Sequence, residues 1–163
     1  RSTALAALTD IDASPVIDRG RVFAIGHGGR IAGLDIATGQ RLWERNLAGV
    51  STPWVAGDYI FVVTIDATLA AITRADGKVK WVTQLPKFRN EEDKKGPIKW
   101  SGPVLASDRL LLTGSNGRII SVSPYKGEIL SQLPLPGPAF LPPVVAGNTV
   151  YVLTDEGQLV AFR

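Results

Sequence analysis

Between Gly20 and Leu47, apolar and polar positions alternate in short runs broken by glycine. Val22, Ala24 and Gly26 alternate with Phe23, Ile25 and His27. A Gly28-Gly29 turn leads to the run Ile31–Ile36, and Thr38-Gly39 leads to a third run containing Leu42 and Trp43. A period of two with glycine at each reversal predicts an antiparallel meander.

The pattern returns along the chain. Pro15, Pro53, Pro103 and Pro143 each close a short lead-in of mostly small residues, at spacings of 38, 50 and 40 residues. After each comes an apolar pair or triplet, then a turn (Arg19-Gly20, Gly57-Asp58, Ser107-Asp108, Gly147-Asn148). A second strand rich in β-branched, leucine and aromatic residues follows, then a third (IAGLDI, LAAITR, IISVS, LVAF). A turn carrying Gly39, Gly77 or Gly127 opens a fourth strand (QRLWERNL, KVKWVTQL, EILSQLPL). The last copy stops after its third strand at Arg163, so fifteen strands are predicted.

Four-stranded units of about 40 residues predict an all-β fold, a β-propeller with about four antiparallel blades. The units fall at approximately 12–49, 50–87, 100–136 and 137–163, with a charged inserted loop at 88–99. Runs such as Phe61-Val62-Val63 are apolar on both faces, as stacked blades require. A twisted β-sandwich is the competing fold, but it needs no such repeat. The last blade lacks a fourth strand. One from sequence preceding these 163 residues is expected to complete it, or less readily residues 1–8.

Composition narrows the function classes. The chain is 45% hydrophobic and 20% charged, which suits a globular domain. Its net charge of +3, with signs interspersed, gives no reason to expect nucleic acid as a partner. There is no Cys, hence no disulfide or thiolate chemistry within these residues, and no Met, so the chain reads as processed or truncated. No apolar run reaches the length of a membrane span, and no signal peptide is visible. His27, the only His, sits in a predicted hairpin turn without converging ligands. The Gly-Gly and Asp-Gly pairs are hairpin chemistry and lack the Gly-Lys-Ser/Thr ending of a phosphate loop. No catalytic, cofactor-binding or metal-binding residue is nominated.

The stretch GRVFAIGHGGRIAGLDIATGQRLW resembles the repeat of PQQ-type propellers, through Gly-Leu-Asp, Thr-Gly and Trp. Copy two keeps Asp76-Gly77 and Trp81, while copy three departs, with Leu130 assigned to the Trp position. LTDIDASPVIDRGRVFAIGHGGRIAGLD, residues 8–35, resembles more specifically the BamB family of outer-membrane assembly factors, and the similarity extends to PPVVAGNTVYVLTDEGQLVAF. The resemblance implies the C-terminal half of an eight-bladed ring, with Trp43 and Trp81 docking neighbouring blades.

It also implies a non-enzymatic scaffold in the periplasm, associated with the outer membrane through a lipid anchor carried by preceding sequence. The implied partners are a POTRA domain of BamA and nascent outer-membrane proteins. Asp10 and Asp12 match the family motif that contacts BamA; in extended chain, residues two apart share a side. The alternative is that both carboxylates cap local turns. The family's basic residue just before the motif is replaced by Ala6-Ala7. The loop at 88–99, flanked by Phe88 and Trp100, reads as solvated, or as a second partner loop. A PQQ-dependent dehydrogenase fragment, needing calcium and the quinone, and a generic protein-binding propeller module are the other function classes. Open blade faces further predict either retention of another half-ring or pairing of two half-propellers.

Overall fold

A computed structural model describes residues 13–26, 28–49 and 51–163. Strands account for all the regular structure among them. The first sheet contains β1 (Val16–Asp18), β2 (Arg21–Gly26), β3 (Arg30–Asp35) and β4 (Arg41–Asn46) in sequence order. The second contains β5 (Trp54–Ala56), β6 (Tyr59–Val63), β7 (Thr68–Thr73) and β8 (Val79–Gln84). The hairpin of β9 (Phe88–Asn90) and β10 (Lys95–Pro97) follows. The third blade is β11 (Trp100–Ala106), β12 (Arg109–Gly114), β13 (Arg118–Val122) and β14 (Ile129–Pro134). The last has three strands, β15 (Val144–Ala146), β16 (Thr149–Leu153) and β17 (Leu159–Phe162). Every pairing is antiparallel between sequence neighbours, so the fold is a run of about four propeller blades.

Alternation along the second strands assigns each face to one neighbour. Phe23 and Ile25 of β2 pack with Ile60 and Val62 of β6, joining blades one and two. Phe61 and Val63, one residue out of step on β6, pack with Leu110 and Leu112 of β12, joining blades two and three. Both faces of β6 are therefore buried, which explains why its sequence shows no polar face. Each such fully buried side chain contributes roughly 1.5–3 kcal/mol.

The turn before each fourth strand is built the same way in three blades. The N–H of Gly39, Gly77 and Gly127 donates to the carbonyl four residues earlier, at 2.8–2.9 Å. Their φ angles of 69°, 68° and 75° require the left-handed region. The next bond, Asp35 N–H to Gln40 O at 2.9 Å with counterparts at Thr73 and Ser123, places a bulge at the start of each fourth strand.

Two readings change. The described residues form seventeen strands, because the stretch at 88–99 holds a hairpin. Glu91 Oε1 accepts from Lys87 N–H at 2.8 Å and Phe88 N–H at 3.1 Å, and Ile98 N–H donates to Lys87 O at 2.7 Å. The polar segment is thereby closed at its base. Trp100, the residue after it, is buried in β11 and donates from Nε1 to Pro86 O at 2.8 Å.

The second change is one of register. Ser121 pairs with Ser131 where Gly33 pairs with Trp43 and Ala71 with Trp81, so the Trp-equivalent residue of blade three is Ser131. Leu130 is the extra residue of the bulge. A hydroxyl pair, Ser121 Oγ to Ser131 Oγ at 2.6 Å, replaces the indole.

Candidate partner interface

The tryptophans account for the joints between blades. Trp43 leans on Phe23 of its own blade, ring centroids 6.0 Å apart, and donates from Nε1 to Arg74 O of blade two at 3.0 Å. Trp81 repeats this with Phe61, also at 6.0 Å, and Pro124 O at 2.9 Å. The indoles lie over Gly77 and Gly127, where an added Cβ would meet Trp43 Cε3 at 2.6 Å and Trp81 Cε3 at 2.5 Å. These residues hold the ring together and are not a site.

Arg74 reinforces the first joint. Its guanidinium, almost wholly buried, pairs with Asp18 Oδ2 at 2.8 Å and donates to Asp18 O at 3.3 Å. Its own carbonyl accepts from Arg21 Nη1 at 2.8 Å as well as from Trp43. In blade three Pro124 occupies the position of Arg74. A cleft of about 460 Å³ lined by Tyr59, Lys80, Asp108 and Tyr125 opens at the second joint, where no such guanidinium enters.

The carboxylates at the turns are committed locally. Asp35 Oδ1 accepts from Thr38 N–H at 2.8 Å and Ala37 N–H at 3.0 Å, and these bonds hold its pKa below the ordinary value. The Thr73 hydroxyl donates to Asp76 Oδ1 at 2.5 Å and, with help from Lys78, lowers that carboxyl to about 2. The Thr64 hydroxyl likewise lowers Asp66. Tyr125 Oη donates to Asp108 at 2.8 Å, and this carboxylate raises the phenol's pKa.

Among the described residues no three His, Cys, Asp or Glu side chains gather as a metal site. No helix there is long and apolar enough to cross a membrane.

Asp10 and Asp12, the residues nominated for partner binding, lie outside the described residues, as does His27. Ala13, next in sequence after Asp12, is buried against the joint between blades one and two. With Ser14 it lines a depression of about 380 Å³ where the lead-ins of all four blades converge. Thr52-Pro53, Gly102-Pro103, Phe140 and Pro142 supply the other walls, and the half-exposed Trp54 stands among them. Ser101 Oγ and Thr113 Oγ1 donate to Phe140 O and Leu141 O at 2.7 and 2.6 Å, fixing the fourth lead-in to blade three. Pro53 and Pro103, two of the prolines that mark the repeat, thus meet in space beside Pro142. The sequence shows their spacing, but nothing in it signals the shared depression or the exposure of Trp54.

Repeated four-stranded blades, a glycine turn before the fourth strand and an indole docked on the next blade's glycine define a PQQ-like β-propeller. The chain belongs to the family described as outer membrane protein assembly factor BamB, whose model matches residues 1–83 and 87–163. It is 28% identical over 160 residues to that assembly factor from Salmonella typhimurium, covering 98% of this chain and 38% of the relative. The crystal structure of BamB from Moraxella catarrhalis superposes with a TM-score of 0.79 at 19% identity, over 99% of this chain and 45% of that one. Quinohemoprotein alcohol dehydrogenase from Comamonas testosteroni shares the fold more distantly, with a TM-score of 0.64 at 17% identity over 76% of this chain and 21% of that one. The chain spans about two fifths of the length of the curated relative.

Proposed function

We propose that this chain acts as a non-enzymatic binding scaffold in outer-membrane protein assembly, as part of a BAM-type complex on the periplasmic side of the outer membrane. The carrying observation is that the family match extends over both halves of the chain, including the lead-in that contains Asp10 and Asp12. In this reading the two carboxylates offer charged acceptors to a POTRA domain of BamA. The apolar depression beside Ala13 receives the rest of that contact, and exposed edges of the ring meet nascent outer-membrane chains. Membrane attachment is assigned to a lipid anchor outside these 163 residues. Pairing between half-propellers remains an alternative way of covering the open blade faces.

The test is calorimetric titration of a BamA periplasmic fragment into the chain and into the Asp10→Ala/Asp12→Ala double variant. The expected result is binding that weakens at least tenfold in the variant. Unchanged affinity would remove the site assignment, and no binding by either protein would remove the partner. The dehydrogenase reading rests on fold likeness alone. A spectral change on adding PQQ with calcium would revive it.

A further inference from the structure

The joints between blades one and two and between blades two and three follow one plan but differ at two matched positions. Asp18 and Ala56 end the first strands of blades one and two, each paired with the residue that opens the second strand. Arg74 and Pro124 stand one residue after Thr73 and Ser123, whose N–H groups close the same turn. Across the first joint the Arg74 guanidinium reaches Asp18 Oδ2 at 2.8 Å, Asp18 O at 3.3 Å and Gly57 O at 3.4 Å. The second joint has Ala56 and Pro124 at the positions of that ion pair, and both line the cleft of about 460 Å³.

The cleft keeps the acceptors that a guanidinium needs. Ala56 and Ser107, the counterparts of Asp18 and Gly57, are both in its wall. Ile36 N–H donates to Gly20 O at 3.0 Å and Arg74 N–H to Asp58 O at 2.9 Å. Pro124, at the matching position, has no N–H, so Asp108 O is left without a donor among the described residues. The Asp108 carboxylate also lines the cleft and accepts from Tyr125 Oη at 2.8 Å. The ion pairs among the described residues do not include it. Tyr59 and Tyr125 add aromatic rings, against which a guanidinium stacks well. Lys80 is the cation of the lining and is exposed; a lysine so placed covers apolar surface with its stem and keeps its head in water.

We propose that this cleft is a docking site for an arginine side chain presented by an exposed loop of a partner protein. The incoming guanidinium takes the place that Arg74 fills at the first joint, and Asp108 supplies the carboxylate that Asp18 supplies there. Lysine fits less well, because an ammonium is a point charge without the planar fork. The cleft shares no lining residue with the depression beside Ala13 and needs neither Asp10 nor Asp12, so the site goes beyond the assembly reading.

The probe is a fluorescently labelled Gly-Ser-Arg-Ser-Gly peptide, followed by anisotropy as the 163-residue chain is added. Saturable binding is expected. It should weaken roughly tenfold or more when citrulline, which keeps the shape and loses the charge, replaces the arginine. Asp108→Asn should weaken it by a similar factor, and Lys80→Ala should tighten it by removing a like charge from the rim. The double variant Ala56→Asp/Pro124→Arg transplants the ion pair of the first joint into the second. It should abolish binding while the thermal melt stays at or above that of the parent chain. Should this variant melt early, Asp108→Asn, an exposed and isosteric change, decides instead. The inference is overturned if the arginine peptide does not bind, if the citrulline peptide binds as well, or if Lys80→Ala weakens binding. Undiminished binding by the folded double variant or by Asp108→Asn also overturns it, because the peptide would then sit elsewhere.

Discussion

Trp43 of the first blade covers Gly77 of the second so closely that a methyl group at Gly77 would sit 2.6 Å from the indole. Gly39 has the same turn and nearly the same φ, but an added Cβ there meets nothing within 4 Å. The two glycines therefore separate backbone cost from docking cost. Gly39→Ala is expected to lose about 1–2 kcal/mol, the cost of the left-handed region for a residue with a Cβ. Gly77→Ala is expected to lose about 2 kcal/mol more, through overpacking against the indole. Urea unfolding of the two variants measures the difference, and equal losses would contradict the docking geometry.

Trp81 joins blades two and three by packing and by one hydrogen bond to Pro124 O. Trp81→Ala is expected to cost about 3–5 kcal/mol. Trp81→Phe keeps an aromatic ring on the joint but removes the N–H, leaving a carbonyl without its donor. That change is expected to cost about 1–3 kcal/mol. Chemical denaturation of both variants checks the order, and a Phe variant as unstable as the Ala variant would show that ring packing contributes little.

Arg74 is the cationic counterpart of that joint between the first two blades. Arg74→Met preserves the stem but strips Asp18 of its nearer cationic partner, leaving Arg19 at 3.9 Å, and the Asp18 carbonyl of a donor. A loss of about 1.5–3 kcal/mol is expected, the range for hydrogen bonds to charged groups. Asp18→Asn in the same background should add much less than it does alone, because the pair is already broken. Additive losses in this double-mutant cycle would deny the coupling.

Asp76 has a folded-state pKa of about 2, below its ordinary 3.8, mainly through the Thr73 hydroxyl. A lowered pKa means the carboxylate favours the folded state. That contribution is complete above the ordinary value and disappears as pH falls from about 4 through about 2. Carboxyl-carbon NMR titration is expected to place the Asp76 midpoint near 2. Thr73→Val, which removes the hydroxyl, should move that midpoint upward, and an unmoved midpoint would assign the effect to Lys78 instead.

The parts of this fold that were legible in the sequence are those with local causes. Gly39 and Gly77 each precede a Trp by four residues, and that spacing exposes both the turn and the blade joint. Blade three has no Trp. Its Trp position, assigned to Leu130 as the apolar candidate, belongs to Ser131, which lies four residues after Gly127 and pairs with Ser121. The hairpin at 88–99 carries no period-two apolar signal because its strands are short and polar; it is closed by Glu91 and by the Ile98–Lys87 bond rather than by a hydrophobic face. The depression below the lead-ins was hidden for another reason. Pro53, Pro103 and Pro142 meet only after the blades stack, and a linear period carries no information about that axis.

The Ser121–Ser131 pair has a consequence for how the array comes apart. In repeat architectures each unit is held by its own stability plus a coupling to its neighbours. The first two couplings each include an indole clasp, whereas the third has none and combines a smaller patch around Ile119, Leu135, Ala139 and Val152 with the Ser101 and Thr113 bonds to the fourth lead-in. Under load or mild denaturant the weakest seam therefore lies between blades three and four, and the C-terminal blade is the first to detach as a unit.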